Sequence, residues 1–527
     1  FDNSNFGGNN FENADFTNAS FVNTDFHGTS SARTSFLGAK LDGADFTGAT
    51  ITYASFDSAL TKEQLASTGS LKSKYLAYVD FNGNDFSGVD FSGTNLTESK
   101  FKNVNLDGAK FVNANGLSET YSTVLEGAVI TNADFSKSDI YAKTLEQTKS
   151  YADKNFSGIN LSNISGRIIR FTDASGIDFS NAVFDNSNFG GNNFENADFT
   201  NASFANTNLN GTSSQMTSFL GAKLDGADFT GAQIRYAKFD SAFTKAHLQS
   251  TSEFNSNKSF FGTSFTGNDF SGVNFRDAMF LDSVSFKNVN LSRANLQNAK
   301  FYSCAVENAD LTGSDLRGAQ FSNSALLASS TKKNTIMSNG VIENFSMSSS
   351  ADSFSIAKHI TSSIAINAKI SQDNAVISNG AVLTLENGAK LDVENGKTLA
   401  VGDGGAILVN TSSDDPAAIF IDGNSGIAFA DGGTLSINVL DNIMGTDTYT
   451  YAIMSWEDDS RIAALGNFVV DKNLFLTVNG AKFAGSWNYF IKGNTFVISL
   501  QIPEPATYAF VFGAIALIAA CVARRGK

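Results

Sequence analysis

Four residue types are nearly missing from this chain of 527 residues: 3 Pro, 3 His, 2 Cys and 2 Trp. Cys304 and Cys521 are too few for a disulfide scaffold, and the scattered His27, His247 and His359 cannot build a multi-histidine zinc site. Neither a metal centre nor a cofactor is expected. Charge is also scarce, at 17% of residues, and lopsided, with 37 basic against 52 acidic side chains for a net of −15. That balance excludes a phosphate-seeking surface, so no nucleic-acid partner is expected. It leaves open an acidic surface that imitates nucleic acid. Abundant Ser, Thr, Asn and Gly suit an extracellular surface. The chain starts at Phe1 inside a repeat, with no charged-then-apolar export segment ahead of it, which reads as an N-terminal truncation.

Phenylalanine is what the chain has in excess, 48 residues against 12 Tyr. Apolar residues recur at every fifth position: Phe1, Phe6, Phe11, Phe16, Phe21, Phe26, then Phe36, Leu41, Phe46, Ile51 and Phe56, with only Ser31 out of line. Two residues before most centres stands a small residue, such as Ala39, Ala44 and Ala49; two residues after stands Gly or Asn. Residues two apart in a strand face the same way, so Ala44 and Phe46 point inward while Asp45 and Thr47 point out. Gly or Asn then supplies the corner. A helix would smear a strict period of five around all its faces. Stacked coils instead pile Phe on Phe, each burial contributing about 1.5–3 kcal/mol. The period breaks near 60–78, 141–154 and 243–262, where LTKEQLAST, TLEQTKS and FTKAHLQST share a theme. Each break is expected to be a short helix or loop bulging from a corner, with Leu65 and Leu248 tucked against the coils.

The pattern A-(D/N)-(L/F)-x-x, as in GAKLDGADFTGA at 38–49 and GSDLRGAQFSNS at 313–324, resembles the pentapeptide-repeat family over residues 1–327. The resemblance implies a right-handed quadrilateral β-helix with four pentapeptides per coil. Periodicity alone gives the side, not the number of sides.

Residues 1–57 and 184–240 are near copies that differ at nine positions. Eight of these are outward positions: Val22/Ala205, Asp25/Asn208, His27/Asn210, Ala32/Gln215, Arg33/Met216, Thr50/Gln233, Thr52/Arg235 and Ser55/Lys238. Only Phe26/Leu209 is inward, and it stays apolar. Drift confined to the exterior argues against catalysis there and makes His27 a solvated side chain. Cys304 falls at a small inward position, as a packed core thiol. The GND segments at 83–85 and 267–269 lack the tandem spacing of calcium-binding repeats.

Past residue 327 the period of five ends. In the module at 328–433, residues 328–376 are rich in Ser and Asn with apolar positions in loose alternation; short strands closed by Gly turns follow, AVLTLENG, AKLDVENG, KTLAVGDGG and AILVN. A repeat of eight or nine residues fits hairpins and solenoid coils alike, and favours a second β-solenoid or β-roll module. It loosely resembles autotransporter stalks, which implies an elongated exported module. Longer strands at 434–501 are expected to close it, with Glu457, Asp458, Asp459 and Arg461 in a solvated loop. The expected fold is therefore all-β with a single C-terminal transmembrane helix.

That helix comes from the tail, residues 502–527. Residues 506–523 are apolar or small and uncharged, a helix of about 27 Å, just enough to span a bilayer. Arg524, Arg525 and Lys527 follow, leaving the C-terminus cytoplasmic and everything before residue 503 outside. Pro503 and Pro505 keep the approach extended. Pro503-Glu504-Pro505, the apolar span and the basic end together resemble the PEP-CTERM sorting signal. The resemblance implies export, membrane anchoring through the helix, then processing near the tripeptide by an exosortase-type membrane protease and release to the cell surface or an exopolysaccharide matrix. Cys521 lies within the span and needs no role.

Three functions fit these features. A non-catalytic structural or adhesive surface or matrix protein uses all of them. A DNA mimic inhibiting a topoisomerase is an alternative, since residues 1–327 carry 34 acidic and 24 basic residues, a net of −10, although such a mimic belongs in the cytoplasm. A β-helix that binds or acts on polysaccharide is another, and needs carboxylates meeting across coils.

Overall fold

The computed structural model describes residues 1–118, 124–164, 167–322, 327–359, 366–373, 375–402 and 404–412, and beyond them the segments 417–421, 426–429, 434–439, 448–456, 474–478, 481–482, 486–492 and 495–501. Two compact units divide the chain: Phe1–Asp269 with Phe280–Val289 and Ser303–Ala305, and Phe270–Met279 with Asn290–Tyr302 and Val306–Lys527.

In the first unit each pentapeptide makes one side and one corner. Within Leu41–Asp45, the Ala44 amide donates to the Leu41 carbonyl (3.0 Å), closing a turn whose third residue, Gly43, has φ +67°. A left-handed third residue marks a type II turn, which is why Gly or Asn recurs there. Asp45 then pairs in parallel with Asp25, twenty residues back, and the same step joins Ser35 to Ser55 and Asp80 to Lys100. Twenty residues are four pentapeptides, so each regular coil has four sides. The inward Phe side chains stack along each side, Phe26 on Phe46 at 5.0 Å and 11°, and Phe36 on Phe56 at 5.1 Å and 5°. Around the coil they meet edge-on, Phe36 to Phe46 at 5.7 Å and 82°. Offset stacks and edge-to-face contacts are the arrangements that aromatic quadrupoles favour. Ser31, the exception to the apolar run, is also fully buried; its hydroxyl meets that of Thr29 at 3.2 Å.

The three breaks are pairs of single-turn helices: α1 (Lys62–Ser67) with α2 (Gly69–Lys72), α3 (Ala142–Glu146) with α4 (Lys149–Ala152), and α5 (Lys245–Ser250) with α6 (Ser252–Ser256). Leu65 and Leu248 are fully buried beneath them. All three pairs are wired alike. Thr68, Thr148 and Thr251 cap the second helix of each pair and donate back to Leu65, Leu145 and Leu248. The next amide takes the place of a strand in the ladder: Gly69 to the Ala49 carbonyl, Lys149 to Ala128, and Ser252 to Ala232, each at 2.9 Å. A side chain then completes the ladder, with the amides of Ile51, Ile130 and Ile234 donating to Ser70, Ser150 and Glu253. The helices are thus plugs that keep the backbone ladder satisfied while adding residues to a coil. After the first plug, Tyr75 already pairs with Asn95 and Leu76 is a buried centre, so the ladder resumes ahead of Phe81.

In the second unit the ladder of the repeats continues to Asp315↔Ile336. Beyond it, strands Lys390–Val393, Thr398–Val401 and Ala406–Thr411 each pair in parallel, with strands 368–370, 375–377 and 382–385 on one edge and 418–421, 426–429 and 434–439 on the other. Three successive strands make one coil, so the repeat of eight or nine residues is a side of a three-sided solenoid. Parallel pairing rules out successive hairpins there. Leu383, Leu385, Leu391, Val393, Leu399, Val401, Ile407 and Val409 fill its core by strand alternation. Antiparallel pairing joins Thr335–Ile336 to Ile342–Glu343 ahead of these coils, and recurs in the closing region, where Ser486–Lys492 and Thr495–Gln501 form a hairpin and the latter also pairs with Thr448–Trp456.

Candidate functional site

The residue before each centre explains where the acidic side chains go. Asp45 accepts the amide of Thr47 (2.8 Å), Asp90 that of Ser92 (2.8 Å), Asn5 that of Gly7 (2.8 Å) and Asn193 that of Glu195 (3.1 Å). A short side chain accepting the amide two residues on is an Asx turn, and Asp or Asn serves equally. Bonds to Thr17, Thr47 and Ser92, through hydroxyl and amide together, hold Asp15, Asp45 and Asp90 below the usual carboxylate range. The amides of Ser87 and Ser175 lead the same effect at Asp85 and Asp173. Basic side chains interleave with them, as in Lys100–Asp80 (3.4 Å), Lys102–Glu126 (3.0 Å) and Arg33–Glu12 (2.8 Å). These carboxylates are therefore spent on turns and exposed ion pairs.

The duplicated segment bears this out residue by residue. None of its eight outward differences is buried in either copy, whereas Phe26 and Leu209 are both fully buried. His27 is exposed. Cys304 is buried, its thiol facing the Phe280 carbonyl at 3.2 Å. The middle residue of each GND segment is a buried tether: Asn84 accepts the Leu60 amide (3.0 Å) and donates to Phe81 (2.8 Å), and Asn268 donates to the carbonyls of Asp240 and Phe243. Each ties down the chain leading into α1 or α5. Glu253 is 5% exposed, and burial pushes its carboxyl up, with Arg235 at 3.7 Å. His247 accepts the Thr244 amide in a capping box, and burial pushes its ring down.

Around Leu316 three outward positions, Gln297, Asp315 and Arg317, are buried against the exterior pattern. Arg317 follows the centre Leu316 in GSDLRGAQ, where the repeat rule gives a solvated residue, yet it is fully buried. Its guanidinium grips both oxygens of Asp315, Nε donating to Oδ1 at 3.0 Å and to Oδ2 at 3.2 Å, and Nη2 to Oδ2 at 2.6 Å. Nη1 donates to the Ile366 carbonyl (3.1 Å) and Nη2 to that of Ala357. Gln297 donates to Asp315 (2.7 Å) and to the Lys358 carbonyl (3.1 Å). Chain from 357–359 and 366 thus lies over the outer face of this coil. The period could not show it, because the covering chain is distant in sequence.

Among the described residues no group of three or more His, Cys, Asp or Glu side chains is placed to hold a metal ion. Open clefts among the described residues include one of about 500 Å³ beside α1 and α2 at Lys62, Glu63 and Asp90, and one of about 390 Å³ at Arg167, Ile168 and Asn206. The sorting residues Pro503, Glu504 and Pro505, the span 506–523, the basic end Arg524, Arg525 and Lys527, and the loop Glu457–Arg461 all lie outside the described residues. Among the described residues no helix is long and apolar enough to cross a membrane.

Family models match the coils directly. Pentapeptide repeats (8 copies) match residues 1–30, 32–59, 75–115, 170–200 and 177–213, and the pentapeptide repeat region matches 256–330. The repeat region is a pentapeptide-repeat solenoid. Among curated proteins nothing matches significantly. Solved pentapeptide-repeat structures similar to this chain include HetL, involved in heterocyst differentiation regulation in the cyanobacterium Nostoc, at 17% identity over 65% of this chain and 93% of that one, with a TM-score of 0.13. QnrB1, a plasmid-mediated fluoroquinolone resistance protein, is 14% identical over 50% of this chain and 90% of its own, with a TM-score of 0.13. At such scores neither likeness carries a function over to this solenoid.

Proposed function

We propose that the chain is a non-catalytic scaffold of the cell surface or extracellular matrix, exported and sorted through residues 502–527. The exterior of the solenoid carries this reading: acidic residues are bound into Asx turns, and the duplicated outer face has drifted at eight positions while the core changed at one and stayed apolar. A surface kept for chemistry would hold its polar side chains in place. In this reading an exosortase-type protease acts near Pro503-Glu504-Pro505 while the helix 506–523 anchors the chain, with Arg524, Arg525 and Lys527 on the cytoplasmic side. The released scaffold then joins the surface or an exopolysaccharide matrix.

Fractionating cells that express the full precursor tests it. Mass spectrometry should find the chain outside the cytoplasm and ending near residue 505. Changing residues 503–505 to Ala should leave it uncleaved in the membrane. Intact soluble protein in the cytoplasm would overturn the reading. The net charge of −10 over residues 1–327 favours the DNA-mimic alternative, which predicts inhibition of gyrase supercoiling by the purified chain.

A further inference from the structure

The buried cluster around Arg317 includes a histidine whose protonation state is set by its neighbours. His359 is 6% exposed. Its Nδ1 accepts the backbone amide of Ile366 at 2.9 Å. Its Nε2 lies 3.1 Å from Oδ1 of Asn298, and that amide is oriented by its own bond from Nδ2 to Asp277 at 3.0 Å. An amide hydrogen can only be donated, so Nδ1 is unprotonated and Nε2 carries the hydrogen. The ring ties residue 359 to residue 366, alongside the Arg317 bonds to the carbonyls of 357 and 366. Gly318 lies directly beneath it; a Cβ there would stand 3.2 Å from Nε2.

We propose that His359 is a pH-sensitive latch: it holds residues 357–359 and 366 on the outer face of the coil bearing Asp315 and Arg317, and releases them when the ring takes a second proton. A proton on Nδ1 sets two donors against each other, Nδ1–H and the Ile366 amide. It also places a cation beside the Arg317 guanidinium. The charged groups acting on the ring are Arg317 and Asp315 on the coil beneath and Asp277 on a neighbouring coil. Desolvation comes first and the Arg317 guanidinium adds to it, outweighing the two carboxylates and the ring's bond to the Arg317 backbone, so the ring is held below the ordinary histidine value. A group with a depressed pKa contributes stability above its unfolded value, about 6.5, and loses it as pH falls below that. Release therefore belongs to mildly acidic conditions, where the Asx-turn carboxylates are still ionised.

Amide exchange on the full chain reads the latch locally. After correction for intrinsic rates, the open fraction at Ile366 should rise by up to about tenfold per pH unit below 6.5. His359→Asn places an amide oxygen near the Nδ1 position and does not titrate, so its opening should be flat over the same range. Peptides spanning α5 and α6 report any separate response of His247. Equal pH dependence in wild type and H359N, or none in wild type, would overturn the proposal. If H359N does not fold, the ring nitrogen shifts of wild-type His359 decide: a hydrogen on Nδ1 at pH 7.5 would also overturn it.

Discussion

Gly43 offers a test in which the larger side chain is expected to be the better tolerated. Its φ is +67°, and a Cβ built on it would lie 2.3 Å from Oδ1 of Asn23 in the coil before. Alanine in the left-handed region costs about 1–2 kcal/mol, before Asn23 has moved at all. Moving it gives up the bond from Asn23 to Asn3, at 3.3 Å. Asparagine is different, because Asn already stands on Asn at this corner elsewhere: Asn186 on Asn163 at 3.1 Å, and Asn206 on Asn186 at 3.2 Å, all three with positive φ. Gly43→Asn extends such a ladder, whereas Gly43→Ala adds bulk and offers nothing to Asn23. We expect Gly43→Ala to lower the local opening free energy by about 1–2 kcal/mol and Gly43→Asn by less than about 0.5. Exchange at Ala44 and Asp45 reads this, because their amides donate to Leu41 and to Thr24 across the coil. Gly43→Ala matching or exceeding Gly43→Asn in protection would refute the reasoning.

Phe46 is fully buried and stacked on Phe26, so Phe46→Ala should cost about 3–5 kcal/mol by hydrogen exchange, concentrated in adjacent coils because a solenoid couples nearest neighbours. Removing the tether with Asn84→Ala takes away two hydrogen bonds, costs about 1–3 kcal/mol, and should speed limited proteolysis at residues 57–61; unchanged cleavage would count against the tether. Asp15, Asp45, Asp85, Asp90 and Asp173 have depressed pKa values, so the stability they contribute is present above about pH 3.8 and lost as pH falls through their folded values. Asp45→Asn keeps the turn and should remove the acid sensitivity of the Thr47 amide, as exchange between pH 5 and 3 would register.

The repeat was legible because every level of structure votes for the same five positions. A Phe at the centre, an Ala two before it, an Asx just before it and a Gly or Asn two after it each answer a local demand of side, turn or corner. The drift of the duplicated segment was legible for the same reason, since inward and outward follow from position alone. The helical plugs were visible as interruptions, but their wiring was not. Ser70, Ser150 and Glu253 occupy equivalent positions with different chemistries, and only the shared acceptor role for Ile51, Ile130 and Ile234 relates them.

Local sequence by itself determined the side of the coil, its inward faces and its left-handed corners, because strand alternation and turn conformation are decided within five residues. Tertiary structure decided how many sides close a coil, since a step of twenty or of about twenty-four residues is a pairing between segments distant along the chain. It also decided that Arg317 and His359 are buried. The Arg317 position reads as exterior by the repeat, and only residues 357–359 and 366, some forty residues further on, turn that exterior into a buried, hydrogen-bonded cluster.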